Sequence, residues 1–157
     1  MDFRQYAAQS DDRLELLTGA LLIARDAYPG LDFDAQEEKL DELAAPLRRR
    51  HIDELPAALQ ARALGDHLFI RNGFRGNAEN YYDTRNSFLN EVLERKTGIP
   101  ITLSLVYLEV GRRFGLNRRG LGVLDIGNER LFKIRAAFGE DDILRRVADQ
   151  DVPGMHQ

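Results

Sequence analysis

Few side chains in this sequence could do chemistry, and they are widely spaced. There is no cysteine, so disulfides, thiolate metal sites and a cysteine nucleophile are all excluded. The three histidines, His51, His67 and His156, have no partner at metal-ligand spacing. His67, between Asp66 and Leu68, and His51, beside Arg48-Arg49-Arg50, are read as structural. Thr102 and Ser104 offer hydroxyls, but hydroxyls inside a helix commonly bond back to the preceding turn. An activated Ser104 would need a base, and only His67 and His156, both remote, are candidates. Glu91 and Glu94 lie one helical turn apart and Glu109 stands alone, as expected of carboxylates on solvated helix faces. Without a histidine nearby they are not a metal site, so neither metal nor cofactor is expected.

Two helices in succession must position whatever function there is. From Ser87, the apolar Phe88, Leu89, Val92 and Leu93 alternate with Asn90, Glu91, Glu94, Arg95 and Lys96 at helical spacing. Asp83, Asn86 and Ser87 can all cap its start, and Gly98 can take the left-handed conformation that ends it. A second helix begins near Pro100, where a first helical residue has no use for its N–H, and closes at Gly115. Its apolar residues run almost all the way round, which predicts a central buried helix. It is too short and too polar at its end to cross a bilayer, which takes about 20 apolar residues. In the preceding loop, Gly73 and Gly76 could cradle a phosphate. No P-loop lysine follows, so an architectural loop pinned by Phe74 is favoured. Tyr81 and Tyr82, adjacent in that loop, cannot both point the same way; one is expected to pack and the other to be a contact residue.

The N-terminal part predicts three more helices. Asp11 and Asp12 precede an apolar pattern from Leu14 to Ile23 that Tyr28-Pro29-Gly30 ends. Asp34 heads a second helix through Leu40, Leu43, Ala44 and Leu47. Its closing arginine triplet reads as a charge-compensated, solvated end rather than an anion site. A third runs from Glu54 to Ile70, with Leu55, Leu59, Leu64, Leu68 and Phe69 toward the core. Beyond Gly115, segments 119–126 and 129–135 flank Gly127-Asn128 as an antiparallel hairpin. A short helix at 140–148 and a frayed tail at 149–157 follow. At 157 residues, 43% hydrophobic and 31% charged, the chain reads as one globular domain. A net charge of −4 argues against nucleic acid or an anionic membrane as partner. The first residues lack the basic start and apolar run of a signal peptide, so a cytoplasmic location is expected. No repeat of tetratricopeptide length is present.

Gly73-Phe74-Arg75-Gly76-Asn77, Tyr81-Tyr82-Asp83, Asn86 to Arg95 and Gly98 to Ser104 together resemble the signature of the SirB invasion-regulator family. These are bacterial proteins with a transglutaminase-like core, often followed by tetratricopeptide repeats. The similarity runs from about Leu14 to Gly115. It implies an α+β, mostly helical fold of papain-like ancestry: N-terminal helices and a buried central helix packed on a small antiparallel sheet. Under it the chain divides into a helical half (1–72), a signature loop and helix pair (73–116), a divergent hairpin and short helix (117–148) and the tail. Transglutaminase-like enzymes use a cysteine at the start of the central helix, activated by a histidine and an aspartate on following strands. Here Pro100 takes the cysteine position. The nearest matches to the family's later motifs, Ile126 to Phe132 and Ala136 to Gly139, lack the histidine and the aspartate. Pro153-Gly154-Met155-His156 echoes one motif out of place.

The leading expectation is therefore a non-catalytic transglutaminase-like domain that binds a protein partner. Its candidate contact residues are Tyr81, Tyr82, Arg85, Asn86, Asn90, Glu91 and Arg95, with a buried capping role as the alternative for Asn86. The alternatives are a hydrolase or acyl-transferase using Ser104, or a structural remnant of a longer family member. The divergence after Leu116 fits specialisation, degeneration or an altered reading frame.

Overall fold

The computed structural model describes residues 1–10, 13 and 15–116. The expected hairpin, the helix at 140–148 and the tail lie outside them, as do Asp11, Asp12 and Leu14.

The described chain forms α1 (Phe3–Ala7), α2 (Leu16–Ala27), α3 (Phe33–Arg49), a 3-10 turn (Ile52–Glu54), α4 (Ala57–Gly65), a π-helical turn (Asp66–Arg71), β1 (Arg75–Gly76), a 3-10 turn (Thr84–Ser87), α5 (Leu89–Arg95), β2 (Thr97–Gly98) and α6 (Pro100–Phe114). The sheet is a two-residue parallel pairing, Arg75 with Thr97 and Gly76 with Gly98. The expected antiparallel sheet is not seen among the described residues. α1 was not foreseen. It is held by a capping box in which the Asp2 carboxylate accepts from the Gln5 N–H and the Gln5 carboxamide accepts from the Asp2 N–H.

α6 is central, packing most extensively on α3 and also on α4, α5 and α2. Its Leu103, Val106, Tyr107, Val110 and Phe114 meet Leu40, Ala44 and Leu47 of α3 in one apolar core. Each fully buried leucine there contributes on the order of 2 kcal/mol. The expectation of burial all round needs correction: Ile101 is 73% exposed and Arg112 is also exposed. Pro100 is the first helical residue and Gly115, at φ 94°, closes the helix as the sequence suggests.

The expected third helix is broken. Pro56 separates the 3-10 turn from α4, so Leu55 and Leu59 are exposed, while Leu64, Leu68 and Phe69 reach the core. The π turn widens the last winding, where the Asn72 N–H donates to the His67 carbonyl, and carries His67, Leu68 and Phe69 inward. α3 is capped by Asp32, whose carboxylate accepts from the Ala35 N–H, rather than by Asp34. Ile23, counted among the apolar residues of the first helix, is 40% exposed.

α5 ends differently from the sequence reading. Lys96, not Gly98, takes the left-handed position, at φ 54°. Gly98 serves another purpose: a Cβ there would lie 2.7 Å from Thr102 Oγ1 and 3.0 Å from a Val92 methyl. Only glycine lets β2 pass this close to α5 and α6.

Candidate functional site: the loop before the central helix

Asn86 organises the loop. Its side chain is wholly buried and its carboxamide is used on both sides. Nδ2 donates to the carbonyls of Asn80 at 3.0 Å and Tyr81 at 3.1 Å, and Oδ1 accepts from Asn77 Nδ2 at 3.1 Å. Asn77 Oδ1 accepts from the Asn80 N–H at 3.0 Å, closing the loop on itself. The Asn86 backbone carbonyl receives the Thr102 hydroxyl at 2.8 Å and the Ile99 N–H at 3.4 Å. Thr102 Oγ1 also accepts from the Ile99 N–H and lies 3.1 Å from the Ile99 carbonyl. It therefore reaches from α6 to the loop instead of only bonding back to its own turn. Ser104 does bond back, donating to the Pro100 carbonyl at 2.7 Å.

The seven candidate residues separate into two groups. Tyr81 and Tyr82 stand outward, 57% and 91% exposed, their rings in an edge contact with centroids 5.4 Å apart. The expectation that one of them packs is corrected: an edge-to-face pair lets adjacent rings point apart and both remain in water. Arg85 is also exposed, its guanidinium wrapped on Asp83, with Nη2 to Oδ2 at 2.7 Å and Nε 3.1 Å from both oxygens. Asn86, Asn90, Glu91 and Arg95 face inward or along the surface. Glu91 accepts from the Tyr28 hydroxyl at 2.7 Å, tying α5 to the end of α2 and raising the Tyr28 phenol above its ordinary value. Arg95 Nη2 lies 3.7 Å from Asp83 Oδ2. Asn90 Oδ1 and Arg95 Nη1 are buried and have no hydrogen-bond partner among the described residues.

Asp83 was read only as a possible helix cap. It caps the 3-10 turn by accepting from the Arg85 N–H at 3.0 Å and holds two guanidinium groups as well. The Arg85 hydrogen bonds pull its carboxyl down to about 2. Tyr28, Asn77 and Thr102 complete this framework; Asn77 and Thr102 lie in stretches that carry the resemblance, but none of the three pairings was legible, because the partners lie 9 to 63 residues away.

Phe74 is buried, as the loop reading required, and its N–H donates to the Leu68 carbonyl at 3.0 Å. His67 is buried as well. Its Nε2 lies 2.6 Å from the Leu43 carbonyl, so it carries the proton there as donor. Burial is the main cause holding the imidazole below its ordinary value, with Arg50 and Arg71 adding to it. Glu109, read as a lone carboxylate, is buried in a network in which Arg113 Nη1 donates to it at 2.6 Å and Arg112 Nη2 at 3.0 Å. Arg113 Nε reaches Asp41 at 2.9 Å, and Arg48 donates to the Arg113 carbonyl at 3.2 Å near the end of α6. Among the described residues, no group of three or more histidine, cysteine or acidic side chains could hold a metal ion. No helix there is long and apolar enough to cross a membrane.

The described residues form a mostly helical domain whose loop 77–86 is bonded to the first turn of the central helix. Residues 34–123 match the Transglutaminase-like superfamily, and the chain belongs to it. It is 40% identical over 116 residues to a UPF0162 protein of Xylella fastidiosa, covering 73% of this chain and 41% of that one. A UPF0162 protein of Vibrio cholerae is 28% identical over 110 residues, with 70% and 41% covered. F-box only protein 21 of Mus musculus is 32% identical over 116 residues, with 74% and 17% covered. The chain thus spans about two fifths of the UPF0162 relatives' length and about a sixth of the F-box protein's. No solved structure matches it.

Proposed function

We propose that this chain is a non-catalytic transglutaminase-like domain that acts by binding a protein partner through the surface carrying Tyr81, Tyr82 and Arg85. The observation behind this reading is a contrast within one loop. Asn86 is fully buried and bonded on every side, yet the loop it fixes holds Tyr82 almost entirely in water. Exposed tyrosines beside an arginine are the residue types that anchor protein interfaces.

Transglutaminase-like domains are usually catalytic. The non-catalytic reading is supported by the absence of cysteine from the whole chain and by Pro100 at the helix start that the resemblance assigns to the nucleophile. Ser104 as an alternative nucleophile is disfavoured because its proton is engaged with the Pro100 carbonyl. Recurrence of the same stretch in UPF0162 proteins and in F-box only protein 21 supports a module carried by longer chains. Within the superfamily, the motifs from Gly73 to Ser104 favour the SirB branch and, with it, a bacterial cytoplasmic regulator.

The test uses the folded, tagged chain as bait in a bacterial lysate, against a Tyr81→Ala, Tyr82→Ala double variant. A protein retained by the parent and lost by the variant supports the reading. Retention unchanged by the variant removes this surface from it. Labelling by a serine-reactive probe that Ser104→Ala abolishes would replace it with the hydroxyl-nucleophile alternative.

A further inference from the structure

Tyr81 and Tyr82 leave two aromatic faces in water, their ring centroids 5.4 Å apart and their planes at 89°. One ring stands on the other, so the two faces meet in a right-angled corner. The face of a phenol ring carries the negative part of its quadrupole, and a corner of two such faces attracts a cation from two sides. Among the described residues no cation of the chain fills it. The guanidinium that does lie over a ring is that of Arg25, 5.3 Å from the Phe33 centroid. The Asn86 carboxamide holds the Asn80 and Tyr81 carbonyls, so the backbone beneath the rings is set before a ligand arrives.

The surrounding charges have the same preference. Arg85 is the cation of this loop, and its guanidinium is held by both Asp83 oxygens, with Nε at 3.1 Å from each and Nη2 at 2.7 Å from Oδ2. Arg95 also turns to Asp83, at 3.7 Å. Loop 77–86 and α5 together carry Glu79, Asp83, Glu91 and Glu94 against Arg85 and Arg95. Glu94 is paired with Lys39, which leaves three carboxylates to two guanidinium groups. Glu91 lies within electrostatic reach of Arg85, and Glu79 is exposed with no ion-pair partner among the described residues. A net charge of −4 on the whole chain adds a weak pull of the same sign on a basic partner.

We propose that the partner group seated on this surface is a cation, the lysine or arginine side chain of a basic segment, with its charge in the corner between Tyr81 and Tyr82. This assignment rests on the tyrosine surface being the one that binds, and it supplies the chemistry of what is bound.

The test is an amide-resolved NMR titration of the 157-residue chain with N-acetyl-Ala-Lys-Ala amide carrying a trimethylated lysine, in parallel with its neutral isostere, in which carbon replaces the ammonium nitrogen. The two probes share shape and apolar area, so their difference reads the charge. Concentration-dependent shifts are expected at residues 79–84 with the cation, and binding of the isostere at least about threefold weaker. Tyr81→Phe, Tyr82→Phe keeps the ring faces and is expected to keep the preference. Tyr81→Leu, Tyr82→Leu keeps apolar bulk without them and is expected to abolish it. Both side chains are exposed, so neither double variant should disturb folding. Equal binding of the two probes, no concentration-dependent shift with either, or a preference that survives in the leucine variant would overturn the cationic assignment. A partner captured by the parent chain and lost by Tyr81→Ala, Tyr82→Ala, with no cation preference in the titration, would leave the tyrosine surface standing and refute its cationic ligand.

Discussion

The Thr102 hydroxyl donates to the backbone carbonyl of Asn86 at 2.8 Å, joining the first turn of α6 to the loop that presents Tyr81 and Tyr82. Through this contact the central helix sets the position of an exposed surface. Damage to the latch is therefore expected to move the tyrosines as well as to lower stability.

Asn86→Ala would leave the carbonyls of Asn80 and Tyr81 and the Asn77 amide without partners inside the protein. The expected cost is about 2–3 kcal/mol, the price of several buried polar groups left unpaired. Urea denaturation reads it as a lowered midpoint with an unchanged m value. Tyr82→Ala is expected to change stability by less than about 0.5 kcal/mol, since that side chain is almost wholly exposed.

Gly98→Ala places a methyl group 2.7 Å from Thr102 Oγ1 and against both Val92 methyls. Overpacking of this kind costs about 1–3 kcal/mol. Gly30→Ala is the control, because nothing lies within 4 Å of a Cβ there. Melting midpoints of the two variants should fall on opposite sides of a clear gap; equal midpoints would contradict the close packing of β2 against α5 and α6.

Two pH windows are expected, with the sign the same in each. The folded state holds His67 below its ordinary value of about 6.5, so the unfolded chain takes up that proton first as pH falls. Stability from this group is complete above about 6.5 and declines as pH drops through the folded value. His67→Phe should flatten the dependence that sets in as pH falls below about 6.5, read by equilibrium unfolding. Asp83, pulled down to about 2, contributes stability that is complete above its ordinary carboxylate value and is lost as pH falls toward 2. Asp83→Asn should remove that lower window and leave the upper one.

Arg113 and Glu109 form a buried ion pair at 2.6 Å with side chains 7% and 10% exposed. Arg113→Met leaves the Glu109 carboxylate only the more exposed Arg112 as cationic partner among the described residues, at a cost of about 1–3 kcal/mol, below that of a wholly uncompensated buried charge. The Glu109→Leu, Arg113→Met double change is expected to recover much of it, which a double-mutant cycle on unfolding free energies would measure.

Local chemistry determined a good deal from the sequence. Pro100 and Gly115 bound α6, because a missing N–H and a left-handed backbone are properties of single residues. Phe74 as the anchor of its loop, and Leu64, Leu68 and Phe69 as core, followed from apolarity and spacing. The absence of cysteine and the proline at the helix start were equally legible. Tertiary structure decided the rest. Lys96 displaced Gly98 from the left-handed position because the glycine was needed where β2 crosses α5 and α6, a distance no periodicity encodes. Leu55 and Leu59 lost their core places when Pro56 restarted the helix in a new register. Asn86 became the centre of a network only because Asn77, Thr102 and the loop carbonyls converge on it in space. Hydrogen bonds among residues distant in sequence depend on how helices pack, and packing is a property of the whole chain.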